Sequence, residues 1–246
     1  GRLSSPELAQ ALTAGLVESG MDVLDIGLAP TPLMYFAAKH HADGCGAVVT
    51  GSHNPPQYNG IKLMLGGETI DGAALQALRA RIEAGNFVAG HGQIQSLAVA
   101  EAYVDAVCRS VRLARPLKVV VDCGSGAAAV IAPALFRRMG CEVAPLYCEV
   151  DGRFPHHHPD PQVAANLVDL IAAVRAHGAD IGLAFDGDGD RLGVVTAQGQ
   201  IIPGDRLLAL FVEAQFSGFP GLVLYDVKSS RLVARLAAAH GGRSLA

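Results

Sequence analysis

No CxxC pair occurs among the five cysteines, Cys45, Cys108, Cys123, Cys141 and Cys148, and their number is odd. A disulfide framework is therefore excluded, and thiols set in or beside apolar runs point to a reducing, cytoplasmic compartment. Long hydrophobic stretches are missing as well. The longest run of apolar residues and proline, Ala127 to Phe136, is far short of a helical membrane span. No signal-peptide pattern is found. An excess of positive charge is also lacking: 19 basic against 23 acidic residues give a net charge of −4, which argues against nucleic acid or an anionic membrane as the main partner. Initiator methionine is absent too, and the opening Gly1-Arg2-Leu3-Ser4-Ser5 reads as the middle of a longer chain.

What is present is apolar content and glycine. Half of the 246 residues are hydrophobic, enough for a sizeable core, while 29 glycines and only 5% aromatics suit repeated strand, tight-loop and helix units. The pattern along the chain alternates accordingly. Helices are predicted from Ser5 as N-cap, over 33–40, 73–84, 99–111, 127–139, 167–177, 207–216 and 231–239. Strands are predicted at 22–26, 47–50, 61–65, 118–123, 142–148, 181–185 and 222–225, with a hairpin formed by 192–196 and 200–202. Residues 85–96 are polar, glycine-bearing and without period, and read as a linker. The alternation restarts near 100 and again near 204, which defines an α/β class with successive units.

Chemistry concentrates in two segments. Asp186-Gly187-Asp188-Gly189-Asp190-Arg191 follows an apolar strand. Three carboxylates at alternate positions repel one another, and the intervening glycines let the backbone wrap closely around an ion. All-oxygen ligands of this kind select Mg²⁺, Mn²⁺ or Ca²⁺ over zinc. The EF-hand pattern fails, because its sixth and twelfth positions would be Arg191 and Ala197 rather than Gly and Glu. Arg191 beside such a site points to a companion anion such as phosphate.

The second segment, Thr50-Gly51-Ser52-His53-Asn54-Pro55-Pro56-Gln57-Tyr58-Asn59-Gly60-Ile61-Lys62, leaves the carboxyl end of a strand, where open α/β sheets place ligands. Pro55 and Pro56 stiffen it, and Gly51 permits an unusual backbone angle before Ser52. His53 is suited to moving a proton, and Lys62 to meeting an anion. There is no GxSxG elbow, so a serine hydrolase is not supported. Two further features read as structural. Gly124-Ser125-Gly126 is a tight strand-to-helix turn without the acid a dinucleotide site requires. His156-His157-His158, flanked by prolines, reads as a loop wall or a domain contact.

Taken together, TGSHNPPQYNGIK at 50–62 and AFDGDGDR at 184–191 resemble the phosphoserine and metal loops of the α-D-phosphohexomutase superfamily, in its bacterial phosphomannomutase/phosphoglucomutase branch. Residues 1–8, 22–32, 151–161 and 226–228 extend the likeness. The resemblance implies consecutive phosphohexomutase-type α/β domains with mixed sheets: most of a first domain in 1–98, a second in 99–200, and the start of a third in 201–246. It implies that the family's N-terminal Arg-containing loop, its sugar-recognition loop and its fourth domain are not in this stretch, so the 246 residues alone are expected to be inactive.

The implied activity is reversible phosphoryl transfer between the 1- and 6-positions of a hexose phosphate, of mannose or glucose, through a phosphoserine and a bisphosphorylated sugar. By the same resemblance Ser52 carries the phosphoryl group, and Asp186, Asp188 and Asp190 hold Mg²⁺ with an oxygen on Ser52. His53 and Lys62 assist proton transfer or charge stabilisation. Arg191 contacts substrate or phosphoserine, and Lys228 belongs to the same cleft. Gly51, where many members have Ala, is a departure without expected consequence. Two competing readings are a haloacid-dehalogenase-like phosphatase with an Asp nucleophile, which leaves the Ser52 loop unexplained, and a non-catalytic sugar-phosphate or metal-binding module.

Overall fold

The structure, a computed structural model, describes residues 1–246. The first part of the chain builds α1 (Ser5–Glu18), β1 (Val23–Asp25), α2 (Thr31–His41), β2 (Gly46–Val49), β3 (Ile61–Leu65), β4 (Glu68–Thr69), α3 (Gly72–Glu83) and β5 (Ile94–Ser96). Then follow α4 (Ala100–Ser110), β6 (Lys118–Asp122), α5 (Ala132–Arg138), β7 (Glu142–Leu146), α6 (Val168–His177), β8 (Ile181–Phe185), β9 (Leu192–Thr196) and β10 (Ile201–Ile202). The last elements are α7 (Gly204–Phe216), β11 (Leu222–Leu224), α8 (Leu232–Ala239) and β12 (Arg243–Leu245). The class is α/β, as the alternation predicts. No helix is long and apolar enough to cross a membrane.

The largest sheet has the order β10-β9-β8-β6-β7, with β6, β7 and β8 parallel and the β9–β10 edge antiparallel. Val119, Val120 and Val121 on its inner strand β6 are buried, because helices cover both faces. The period of two sorts them. Val119 and Val121 pack with Ala128 and Ala132 beside α5, while Val120 packs with Leu167, Leu170 and Val174 beneath α6. β7 lies on one flank of β6 and β8 on the other, so the chain reverses its strand order beside β6. The carboxyl ends of β6 and β8, with Asp122 opposite Ala184, open into the crevice such a reversal creates.

Smaller sheets flank this one. β2, β3 and β4 form an antiparallel set in which Val49 faces Ile61, so residues 50–60 are the connection of a β2–β3 hairpin. β1 pairs in parallel with β5, and β11 with β12. Leu33 and Ala37 of α2 join Val99, Val104 of α4 and Ile131 in one buried cluster. α2 packs on β2, and α4 packs on α5, which covers β7, so the cluster links the hairpin to the large sheet, with Ser52 of the 50–60 connection reaching Asp186 at the end of β8.

Several predicted boundaries are corrected. Ser5 is the first helical residue rather than the cap; Ser4 precedes it and makes no side-chain cap bond. The predicted helix over 127–139 is two pieces, a 3-10 turn (Ala127–Val130) and α5. Pro133 lacks the N–H a continuous helix needs, and Ile131 leaves helical geometry just before it, at φ −135°. The helix expected from Leu167 likewise starts as a 3-10 turn (Ala164–Leu167). The predicted linker 85–96 ends in a strand, β5, whose backbone satisfies β1 although its side chains are exposed. β4 and β12 carry too little hydrophobic pattern to be predicted.

Leu170 is fully buried on the inner face of α6, against the sheet. Leu170→Ala should lower stability by ~2–5 kcal/mol, the range for a cavity left in a tight core. Equilibrium urea unfolding of the chain reads this, and a change below about 1 kcal/mol would show that α6 packs loosely.

Candidate active site

The Asp loop is the connection between the antiparallel neighbours β8 and β9. Its apolar strand is buried, so the first carboxylate, Asp186, starts at the floor of the crevice with no exposed surface. Asp186 Oδ1 accepts the N–H groups of Asp190 (3.0 Å) and Arg191 (3.1 Å), which curls the loop around it. Gly187 faces the carbonyl of Ser52 so closely that a Cβ would collide with it. A side chain at 187 would push the two loops apart, so glycine here permits their close approach. On the other side, the Gly124–Gly126 turn after β6 supports the Asp loop, with Ala127 N donating to Gly187 O at 3.0 Å.

Ser52 lies in the β2–β3 connection at φ +47°, the left-handed region an L side chain rarely occupies. Thr50 Oγ1 accepts its N–H at 2.9 Å. Ser52 Oγ lies 2.6 Å from Asp186 Oδ2, 3.3 Å from His53 Nδ1. Arg191 Nη1 is 3.1 Å from His53 Nε2. A guanidinium only donates, so His53 Nε2 accepts and the ring proton sits on Nδ1. Nδ1–H then donates to Ser52 Oγ, and the Ser52 hydroxyl donates to Asp186. The sequence Arg191, His53, Ser52, Asp186 is therefore one directed chain of hydrogen bonds across the two loops.

Lys62 enters from β3, where it stands opposite Val48. Its Nζ donates to Asp188 Oδ2 and Asp190 Oδ2, both at 2.7 Å. Asp188 Oδ2 also accepts from Thr31 Oγ1 at 2.7 Å, and Thr31 N donates to the Asp188 carbonyl at 2.8 Å. Thr31, the fully buried first residue of α2, thus fixes the middle carboxylate. Ligand oxygens of Asp186, Asp188 and Asp190 all lie within 4.8 Å of one another.

The electrostatics follow from this crowding. Burial, reinforced by the charges of Asp188 and Asp190, pushes the Asp186 carboxyl up to about 6, against the pull of its Ser52 and Arg191 hydrogen bonds. Burial acts on Asp188 in the same sense, but the hydrogen bonds from Lys62 and Thr31 outweigh it and hold that carboxyl below the usual range. Burial opposes the Lys62 ammonium, yet its two carboxylate partners raise it above an ordinary lysine. Oδ1 of Asp188 is buried without any hydrogen-bond partner. A buried carboxylate oxygen without a partner, beside two more carboxylates, suits a hard cation.

Of the residues singled out in the sequence, Ser52, His53, Lys62, Asp186, Asp188, Asp190 and Arg191 meet here. Lys228 does not join them: its side chain is 85% exposed and its ion-pair partner is Asp226, at 3.6 Å. The histidine triplet proves to be a contact between loops. His158 Nε2 meets the His53 carbonyl at 2.5 Å, His157 Nε2 lies 3.0 Å from Asp122 Oδ2, and His156 stacks on Tyr147. Sequence reasoning missed Thr31 and Arg2. Thr31 follows a proline in what reads as a plain loop, and Arg2 stands in a stretch with no local chemical pattern of its own.

Comparison with known proteins identifies the family. The fold and loop pair define an α/β protein of the phosphohexomutase kind. Two family models match, "Phosphoglucomutase/phosphomannomutase, alpha/beta/alpha domain I" over residues 1–89 and domain II over 101–199. The chain belongs to the phosphoglucomutase/phosphomannomutase family. It is 51% identical over 244 residues to a phosphomannomutase/phosphoglucomutase of Pseudomonas aeruginosa, covering 99% of this chain and 53% of that protein. It is 48% identical over 248 residues to a phosphoglucomutase of Neisseria gonorrhoeae, covering 100% of this chain and 54% of the other. A crystal structure of a family member from Burkholderia thailandensis superposes with a TM-score of 0.94 at 48% identity, covering 100% of this chain and 56% of that one. The chain thus spans about half the length of the curated relatives it matches.

The His157–Asp122 pair gives a pH prediction. Burial works against the His157 charge, but hydrogen bonds to Asp122 and the His158 carbonyl raise its pKa above the ordinary value. A raised folded-state value means that the pair's contribution is complete below ~6.5, the unfolded value, and is lost as pH rises through the folded one. NMR titration of the His157 ring should give a midpoint above ~6.5 that drops in Asp122→Asn; an unchanged midpoint in the variant would contradict the pairing.

Proposed function

We propose that this chain carries the phosphoryl-transfer half of a phosphohexomutase, which moves phosphate reversibly between the 1- and 6-hydroxyls of a hexose phosphate. The observation that carries the reading is the 2.6 Å contact of Ser52 Oγ with Asp186 at the heart of a carboxylate cluster. A serine held in a strained backbone against such a cluster is poised to carry phosphate where a cation neutralises it. The printed names of the relatives point to mannose and glucose phosphates as substrates.

Asp186, Asp188 and Asp190, with an oxygen on Ser52, would hold Mg²⁺. Three carboxylates and an unpartnered buried oxygen fit a hard dication. Mg²⁺ supplies charge neutralisation for a transferring phosphoryl group. The remaining work falls to the chain's own groups. The His53 Nδ1–H that faces Ser52 Oγ is suited to stabilise charge on that oxygen as phosphate arrives or leaves. The Arg191 guanidinium, which holds His53 in that tautomer, supplies a planar donor set for phosphate. Lys62, bridging two of the carboxylates, is the group suited to share a proton with the sugar hydroxyl that accepts phosphate. Phospho-Ser52 would give its phosphate to the monophosphate, and the resulting bisphosphate would return its other phosphate to Ser52. The exposed Lys228 is retained as a substrate contact only in this wider proposal.

Residues 1–98, 99–200 and 201–246 are read as successive domain-like units, a division supported by matches to separate family models over 1–89 and 101–199. An Asp nucleophile, as in the phosphatase reading, leaves unexplained why the Ser52 hydroxyl is held 2.6 Å from Asp186. The cytoplasmic setting expected from the cysteine pattern belongs to this same proposal.

The test is phosphopeptide mapping after incubation with a hexose 1,6-bisphosphate. Phosphate is expected on Ser52 and lost, with turnover of the full-length protein, in Ser52→Ala. Reproducible labelling of Asp186 or Asp188 instead would overturn the mutase reading.

A further inference from the structure

Arg2 is 4% exposed, yet all three hydrogen bonds of its guanidinium go to backbone carbonyls of one loop. Nη1 donates to Pro55 O at 2.6 Å, while Nη2 donates to Ser52 O at 2.8 Å and Asn54 O at 2.6 Å. The guanidinium carbon lies over the Phe154 ring, 5.5 Å from its centroid. A guanidinium buried without a carboxylate partner is a costly arrangement to retain for packing alone.

The loop has a need that this fork meets. Pro55 and Pro56 lack N–H groups, so the Asn54 and Pro55 carbonyls belong to peptide units that no ladder can knit together. Ser52 sits at φ +47°, a conformation that persists only when its surroundings fix it. Arg2 ties the carbonyl of that residue to the two carbonyls beyond it. Gly51 makes the approach possible, since a Cβ there would meet the Arg2 guanidinium and come within 2.7 Å of the Tyr58 carbonyl. An alanine at 51 therefore requires the Arg2 head to shift, which gives the Gly51 departure a structural meaning that sequence alone did not supply.

We infer that Arg2 is a positioning residue of the phosphoryl-carrier loop, holding Ser52 in its left-handed conformation by gripping three loop carbonyls. The inference rests on the reading of Ser52 as the phosphoryl carrier. Arg2 acts through the backbone, so its loss should lower the rate of transfer and leave substrate affinity nearly unchanged.

The experiment compares Arg2→Ala and Arg2→Lys with wild type and Ser52→Ala in the full-length enzyme, by kcat, by KM, and by the ¹³Cα and ¹³Cβ shifts of Ser52, which report its backbone angles. Both Arg2 variants should lose the left-handed shift signature. Their kcat should fall on the order of a hundredfold, as for misplaced catalytic groups, with KM held within about threefold. Lysine keeps the charge but not the fork, so it should not rescue. Millimolar guanidinium chloride, far below denaturing levels, should partly restore Arg2→Ala. Left-handed Ser52 shifts retained in Arg2→Lys with kcat within twofold of wild type would overturn the inference, and this holds even if Arg2→Ala fails to fold. Failure of the underlying reading is separable, because Ser52→Ala would then keep its turnover.

Discussion

Everything at this centre depends on how closely two loops can approach. Ser52 rests on Gly187, and its hydroxyl reaches Asp186 at 2.6 Å. Neither loop makes that contact by itself. The Asp loop is anchored by β8 in the large sheet, and the serine loop by the β2–β3 hairpin. Their relation is fixed at a distance by the cluster of Leu33, Ala37, Val99, Val104 and Ile131, and nearby by Thr31, which binds Asp188 from the start of α2. Hydrophobic packing thus sets the spacing, and glycine at 187 allows it to be short.

Close approach concentrates charge. Three carboxylates share one small volume, and the fold answers with cations placed around it. Lys62 bridges Asp188 and Asp190, Arg191 reaches His53, and Arg2 grips the back of the serine loop. Each cation has a different geometric task. The flexible ammonium satisfies two carboxylates at once, while the two guanidiniums use their planar forks where direction matters. The carboxyl of Asp186, lifted to about 6, and that of Asp188, held low, differ because Lys62 and Thr31 serve one and not the other. Burial is the main cause of the Asp186 lift, and a dication bound among the three would offset both that burial and the added repulsion of Asp188 and Asp190.

Much of this was legible in the sequence. The alternating acid–glycine run and the SHNPP segment announce unusual local chemistry, and β3 and β8 fall where apolar runs place them. The class α/β follows from the alternation itself. What was not legible is long-range. Arg2 and Thr31 look ordinary locally, and their importance exists only once the chain brings residues 50 and 157 positions away beside them. The split of 127–139 at Ile131 is foreshadowed by the missing N–H of Pro133, but the alanine-rich run masks it. β5 leaves no hydrophobic pattern in the sequence because its side chains are exposed and only its backbone is engaged.

The central claim is that Ser52 and the three aspartates form a single cation site. Crystals of the protein grown with Mn²⁺ test it most directly, because anomalous scattering locates the ion without assumption. The account predicts one ion ligated by Asp186, Asp188 and Asp190, with an oxygen on Ser52 in its coordination sphere and Lys62 displaced from its bridge. An ion bound elsewhere, or one held by the aspartates with Ser52 turned away, would contradict it.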